Sequence, residues 1–209
     1  MPIDDRTEWL EADGLGGFAS ATTSGVRTRR YHGLLLTAMT PPTGRIVLVN
    51  GFDAWLDTPS GSFAVSTQRY APDVLYPDGA AHVTGFTNDP WPTWEYEVAD
   101  GTRVIQEIFV QQGTSAVVVV WTLVRATAPV VLRARPFLSA RDYHSMHQQN
   151  GAFQFDADRQ GAAVTFRPYD GLPGVTTLSN GEYRHAPDWY RQFLYIAERE
   201  RGPALDPAR

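Results

Sequence analysis

Two short stretches gather the side chains best able to do chemistry. Arg29-Arg30-Tyr31-His32, within TRRYHGLLL, sets two cations, a phenol and an imidazole against a glycine and three leucines. Asp142, His144 and His147, within RDYHSMHQQN, offer a carboxylate and two imidazoles. Such groups can donate hydrogen bonds to hydroxyls, stack on flat ligand faces, move a proton or ligate a metal. The metal reading is disfavoured: histidines three apart share a face only on a helix, and this segment lies between a predicted strand and an Asn-Gly turn. Read as a strand, TRRYHGLLL places Arg29, Tyr31 and Gly33 on one face and Arg30, His32 and Leu34 on the other.

Other chemistries fall away by residue type. The chain has no cysteine, which removes thiol nucleophiles, disulfides and thiolate-bound zinc. All 18 basic residues are arginine, so neither a Schiff-base lysine nor a P-loop lysine exists. GLGGFA at 14–19 matches a dinucleotide-binding pattern formally, but no apolar strand precedes it, no amphipathic helix follows, and no acid lies about 20 residues on. A close backbone passage at Gly16 and Gly17 explains it better. No G-x-S-x-G elbow is present, and Ser24 has no base nearby in sequence. Paired carboxylates of a glycosidase are harder to dismiss, with Glu8, Glu11, Glu95, Glu97, Glu107, Asp142 and Asp170 all available, yet none stands out. Aromatic content is more suggestive. Trp91, Trp94 and Tyr96 cluster in NDPWPTWEYEV, and flat rings beside acids and arginines suit a pyranose, although strand aromatics more often pack a core.

The elements that must position these groups read as strands. Asn-Gly at 50, 150 and 180 and Asp-Gly at 13, 78, 100 and 170 are hairpin signals. Trp94, Tyr96 and Val98 alternate with Glu95 and Glu97, and a turn at 99–102 leads into a strand over 103–110. AVVVVWTLV at 116–124 reads as a strand buried on both faces, and VVLRARPFL at 130–138 as a strand that Pro136 places at an edge or an ending. Shorter strands are predicted at 46–49, 63–66, 153–155, 163–167 and 175–178. The exception is a helix of about four turns from Asp188 to Gly202, with apolar residues at 189, 193 and 196 and at 190, 194 and 197. The fold expected is all-β, a large two-sheet antiparallel sandwich over 1–202 with one C-terminal helix.

Bulk properties bound the partners. A net charge of −5 and a pI near 5.5 disfavour nucleic acid and membrane surfaces. The N-terminal residues lack a secretory pattern, and the longest apolar run is too short to span a bilayer, which leaves the cytoplasm as the default location.

EWL, GLGGFAS, SGVRTRRYHGLLL with Pro-Pro shortly after, RPFLSARDYHSMHQQN and DWYRQFLYIAERERG together resemble the N-terminal domain of bacterial and archaeal glycogen debranching enzymes of the amylo-alpha-1,6-glucosidase type. The likeness runs from about Glu8 to Gly202. It implies a large β-sandwich preceding an (α/α)6 barrel that supplies the catalytic acids, so 203–209 would be a linker toward a barrel absent from this chain. It therefore implies no catalytic residue here, no cofactor and no metal, and a chain inactive alone. The expected role is docking on the barrel and shaping its glucan site. An independent α-glucan-binding module is the alternative, followed by a small self-contained glycosidase. Candidate contacts to sugar or barrel are Arg29, Arg30, Tyr31, His32, Trp91, Trp94, Asp142 and His144. Expected partners are the barrel, with glycogen or maltooligosaccharides as ligands, and uncovered apolar surface favours a homo-oligomer.

Overall fold

A computed structural model describes residues 1–199 and 202. Its strands are β1 (Glu8–Ala12), β2 (Phe18–Thr22), β3 (Gly33–Thr40), β4 (Thr43–Thr58), β5 (Gly61–Ala64), β6 (Thr67–Tyr70), β7 (Val74–Asp78), β8 (Val83–Thr87), β9 (Thr93–Glu97), β10 (Arg103–Val110), β11 (Val117–Arg125), β12 (Val131–Asp142), β13 (Ala157–Gln160), β14 (Ala163–Phe166) and β15 (Val175–Leu178). A 3-10 turn covers Gly79–His82, and α1 spans Ile196–Arg199. No helix among the described residues is long and apolar enough to cross a membrane.

Two antiparallel sheets face one another. One has the order β1-β2-β3-β4-β12, with β5 also paired to β4; the other runs β11-β10-β9-β8. Their alternating inward residues form the main core, in which Trp9, Ala19, Ala54 and Leu56 meet Phe86, Trp94, Tyr96, Val104 and Ile108. Trp9 of β1 meets Trp94 of β9 edge to face, with centroids 5.6 Å apart and planes at 76°. The indole of Trp94 donates to the Thr23 carbonyl at 2.7 Å, so its one polar atom is satisfied inside. The alternation expected for 94–98 holds, with Trp94, Tyr96 and Val98 buried and Glu95 and Glu97 exposed. On its other side the larger sheet carries a second apolar cluster, where Ile46, Leu48, Val49 and Ala140 meet Val175, Tyr169 and Leu172. A small sheet, β13-β14-β15, and a two-stranded pair, β6-β7, complete the molecule.

The GLGG segment is the close passage expected. Gly16 has φ 104°, and a Cβ there would lie 2.7 Å from the Pro42 carbonyl oxygen. A Cβ on Gly17 would lie 2.5 Å from the Leu36 carbonyl oxygen and also strike the Asp13 carboxylate. Asp13, 2% exposed, accepts from the N–H groups of Leu15 (2.7 Å) and Gly17 (2.9 Å), closing the turn.

Several expectations are corrected. TRRYH is not a strand: Arg29–Tyr31 form a turn closed by the His32 N–H on the Arg29 carbonyl at 3.1 Å, and β3 begins only at Gly33. The alternation assigned to its side chains therefore does not apply. The helix from Asp188 is four residues long in the described part, Ile196–Arg199, with Glu200 and Arg201 outside the described residues. Residues 192–194 instead run along β6, where Leu194 N–H bonds the Arg69 carbonyl and Ala71 N–H bonds that of Gln192. Phe193, Leu194 and Tyr195 are each at most 5% exposed. Three consecutive buried side chains suit an extended passage, and tertiary burial overrides the helical spacing. The strand at 116–124 is a sheet edge that is half-buried at first and exposed from Thr122 onward, so it is not covered on both faces. Pro136 does mark an edge strand, β12. Asn50-Gly51 lies inside β4 and not in a turn, and 153–155 forms no strand. The proposed linker 203–209 lies outside the described residues.

Gly17→Ala is expected to cost about 3 kcal/mol of unfolding free energy, because backbone oxygen must move to admit the methyl. Gly151→Ala, with nothing within 4 Å of its Cβ position, should stay within about 0.5 kcal/mol of wild type. Denaturant melts of the two variants make the comparison.

Candidate functional site

Three motif segments that are far apart in sequence meet on the rim of the larger sheet. The TRRYH turn lies beside the end of β12, where RDYH begins, and Arg45 of β4 joins them to the glycine turn. Tyr31 packs on Tyr143 with ring centroids 5.4 Å apart and stands perpendicular to His144 at 5.8 Å. Tyr143 and His144 are themselves 4.0 Å apart. The Tyr31 hydroxyl lies 3.3 Å from His144 Nδ1 and accepts from Arg30 Nη2 at 2.9 Å. Arg30 lies 5.0 Å over the Tyr31 ring, and Arg45 lies 5.7 Å from the Tyr143 ring while its Nε donates to the Gly16 carbonyl at 2.7 Å. The result is a platform of two phenols and an exposed imidazole, bordered by two guanidinium groups.

Arg141 holds the platform together. It is 5% exposed, and its guanidinium donates to the carbonyls of Arg30 and Ser145, the latter at 2.8 Å, and to Asn50 Oδ1 at 3.3 Å. Two strand irregularities aim it. Phe137 pairs with Gly51 and Leu138 with Val49, making Asn50 the extra residue in β4; Arg141 then pairs with Val47, leaving an extra residue in β12 at Ser139-Ala140. Ala140 takes φ 53°, unusual for a residue bearing a Cβ. Bulges of this sort re-aim side chains, and here they bring donor and acceptor together.

Behind the platform, His32 is 3% exposed. Its Nδ1 accepts the Thr28 N–H at 3.1 Å, which places the ring proton on Nε2, 3.6 Å from Glu8. Burial pulls its pKa from 6.5 down to about 4, although Glu8 pulls the other way. Burial prevails, and the nearby guanidinium groups of Arg29 and Arg27 add to it. Arg29 completes this corner with a 2.7 Å ion pair to Glu8. Glu198 of α1, 1% exposed, lies 3.9 Å from Arg30 Nε and ties the C-terminal turn to the platform.

Of the residues singled out in the sequence, Arg30, Tyr31 and His144 form the platform. Asp142 lies beside it and accepts the His144 N–H at 2.8 Å. Arg29 and His32 support the turn from beneath. Trp94 is 2% exposed in the core, so it is withdrawn as a surface contact. Trp91 is elsewhere, on the outward face of the four-stranded sheet, packed on Phe109 at 5.0 Å and donating to Glu107 at 2.9 Å. His147 turns away from His144: its ring nitrogens meet the Tyr169 hydroxyl at 2.9 Å and Ser139 Oγ at 3.3 Å. Among the described residues no cluster of three metal-ligating side chains occurs. Glu95, Glu107 and Asp142 do not converge: Glu95 pairs with Arg103 and Glu107 with Trp91 on one sheet, while Asp142 ends a strand of the other. Sequence reading missed Arg45, Arg141, Tyr143 and Glu198. Arg141 and Tyr143 were visible within RDYH, whereas Arg45 and Glu198 are drawn in by long-range folding.

Chemically, the platform offers apolar ring faces with guanidinium and imidazole donors at the rim, an arrangement that can stack a planar or pyranose ring and bond its hydroxyls. Fold and surface together define the class, an all-β sandwich domain bearing an arginine-edged aromatic platform. The chain belongs to the glycogen debranching enzyme N-terminal family, whose model matches residues 7–206. No curated protein and no solved structure matches it.

Two outcomes follow from this geometry. Replacing Arg141 with Met strands buried carbonyls and Asn50 without their donor and should lower stability by about 3 kcal/mol or more, measured by denaturant unfolding. For His32, the unfolded chain takes up its proton near pH 6.5 whereas the folded chain resists until about pH 4. Its contribution is therefore complete above the unfolded value and is lost as pH falls through that window, with a slope up to about 1.4 kcal/mol per pH unit. His147, also pulled down to about 4 by burial, titrates in the same range. His32→Asn keeps an acceptor for Thr28 and should flatten the pH profile by one residue's share, read from unfolding curves across that window.

Proposed function

We propose that this chain is the non-catalytic N-terminal domain of a cytoplasmic glycogen debranching enzyme, an alpha-1,6-glucosidase acting on glycogen and limit dextrins. In this reading it docks on the catalytic barrel and shapes the entrance to the glucan site. The platform of Tyr31, Tyr143 and His144, with Arg30 and Arg45, is the surface that meets barrel or sugar. The observation carrying the proposal is the convergence of the glycine turn, the TRRYH turn and the RDYH strand end at one exposed rim, in a chain of this family. Those segments are separated by up to about 130 residues, and a rim assembled from them is a better contact surface than any one motif. Glu198 strengthens the reading, since it couples the C-terminal turn to Arg30.

A second reading has its own observation. Trp91, half-buried on Phe109 with Glu107 at its indole N–H, lies on the open face of the four-stranded sheet. A tryptophan beside a carboxylate on such a face is suited to binding an α-glucan chain without help from a barrel.

The chain alone is expected to release no glucose from branched limit dextrin. Release proportional to chain concentration, and abolished by substituting Glu95, Glu107 or Asp142, would favour a self-contained glycosidase instead. Native gels containing glycogen separate the two binding readings: retardation that disappears in Trp91→Ala and persists in Tyr31→Ala supports the independent module, and unretarded migration of the wild-type chain supports docking.

A further inference from the structure

We propose that two copies of this chain associate through the free edge of β11, pairing antiparallel so that the two four-stranded sheets become one sheet of eight. β11 and β12 end their respective sheets, and among the described residues neither has a second strand neighbour. The two edges are protected very differently. β12 carries Arg133 and Arg135, which reach Asp57 and Tyr190, has Pro136 mid-strand, and is interrupted by two irregularities. These devices deter strand addition. β11, VVVVWTLVR, has no proline and no glycine, and its one charge is its last residue. Its pairing with β10 is regular from Val117 to Leu123, so the outer edge is straight over that length. Leu123 (52% exposed) and Val124 (51%) lie on it, with Val131 (59%) across the connection to β12.

The choice of a second copy over another occupant rests on three points. Antiparallel self-pairing about a two-fold axis uses each open edge once and leaves no new one, which closes the assembly. The same geometry keeps the two Arg125 side chains at opposite ends of the pair, roughly 27 Å apart if the pairing spans the strand, whereas parallel pairing would set them side by side. The described C-terminal segment of the chain is already engaged elsewhere, with residues 192–194 bonded along β6 and Ala197 N–H on the Thr28 carbonyl.

The test is the mass of the full chain in solution at micromolar concentration, by light scattering and sedimentation. A dimer is expected, and Thr122→Lys with Val124→Lys should raise its dissociation constant by about 100-fold, since all four added cations would lie on one face of the joined sheet, with the two at 122 diagonal neighbours across the pair. Both positions are exposed, and circular dichroism checks that the fold is kept. Ala134→Lys, on the edge of β12, should leave the dimer intact. A wild-type chain that stays monomeric, a dimer that survives the double substitution, or one that Ala134→Lys dissociates would each overturn the proposal. Should the double variant not fold, hydrogen exchange of the wild type decides: amides of 117–123 should slow as concentration rises, and exchange independent of concentration would refute the dimer.

Discussion

The guanidinium of Arg141 lies in the interior, paired with no carboxylate among the described residues and spread over backbone carbonyls of two segments and the side chain of Asn50. A buried cation is costly unless its donors are all engaged, so the surrounding backbone has little freedom. Asn50 must bulge out of β4, Ala140 must accept a positive φ, and the TRRYH turn must present the Arg30 carbonyl. With these fixed, Tyr31 meets Tyr143 and His144 without further adjustment. The platform is thus a product of satisfying one charge, and its rings are the visible outcome.

Arginine plays this part repeatedly in a chain without lysine. Arg27, 7% exposed, lies 4.8 Å from the centroid of Phe193 and 5.5 Å from that of Phe137, and Gly51 makes room for it because a Cβ there would strike the guanidinium. A flat, weakly hydrated cation can be sandwiched by rings in a way that an ammonium cannot. This also explains why an Asn-Gly pair lies in mid-strand: the glycine was selected by a neighbour in space, and its turn signal is incidental.

What could be read from the sequence follows from the range of the forces involved. The alternation of β9, the edge position of Pro136 and the tight passage at Gly16-Gly17 are consequences of local stereochemistry and were legible, as was the all-β class. The family likeness drew attention to Arg30, Tyr31 and His144 because they fall within short motifs. The turn at Arg29–Tyr31 was not legible, because the Thr28 N–H is capped by an imidazole and the Arg30 carbonyl by an arginine over a hundred residues away. The helix expected from Asp188 failed for a similar reason: Phe193 to Tyr195 find better burial beside Tyr70 and Phe137 than a helical face would give them. β11 misled because a run of valines reads alike at the centre of a sheet and at its margin.

The contact between Trp9 and Trp94 joins one indole from each of the two large sheets. Transition dipoles that close couple, and the coupling decays steeply with separation and depends on the angle between the rings. The pair is therefore an intrinsic optical gauge of the space between the sheets. A near-ultraviolet dichroic signal from it would register loosening of the sandwich even while each sheet kept its own hydrogen bonds.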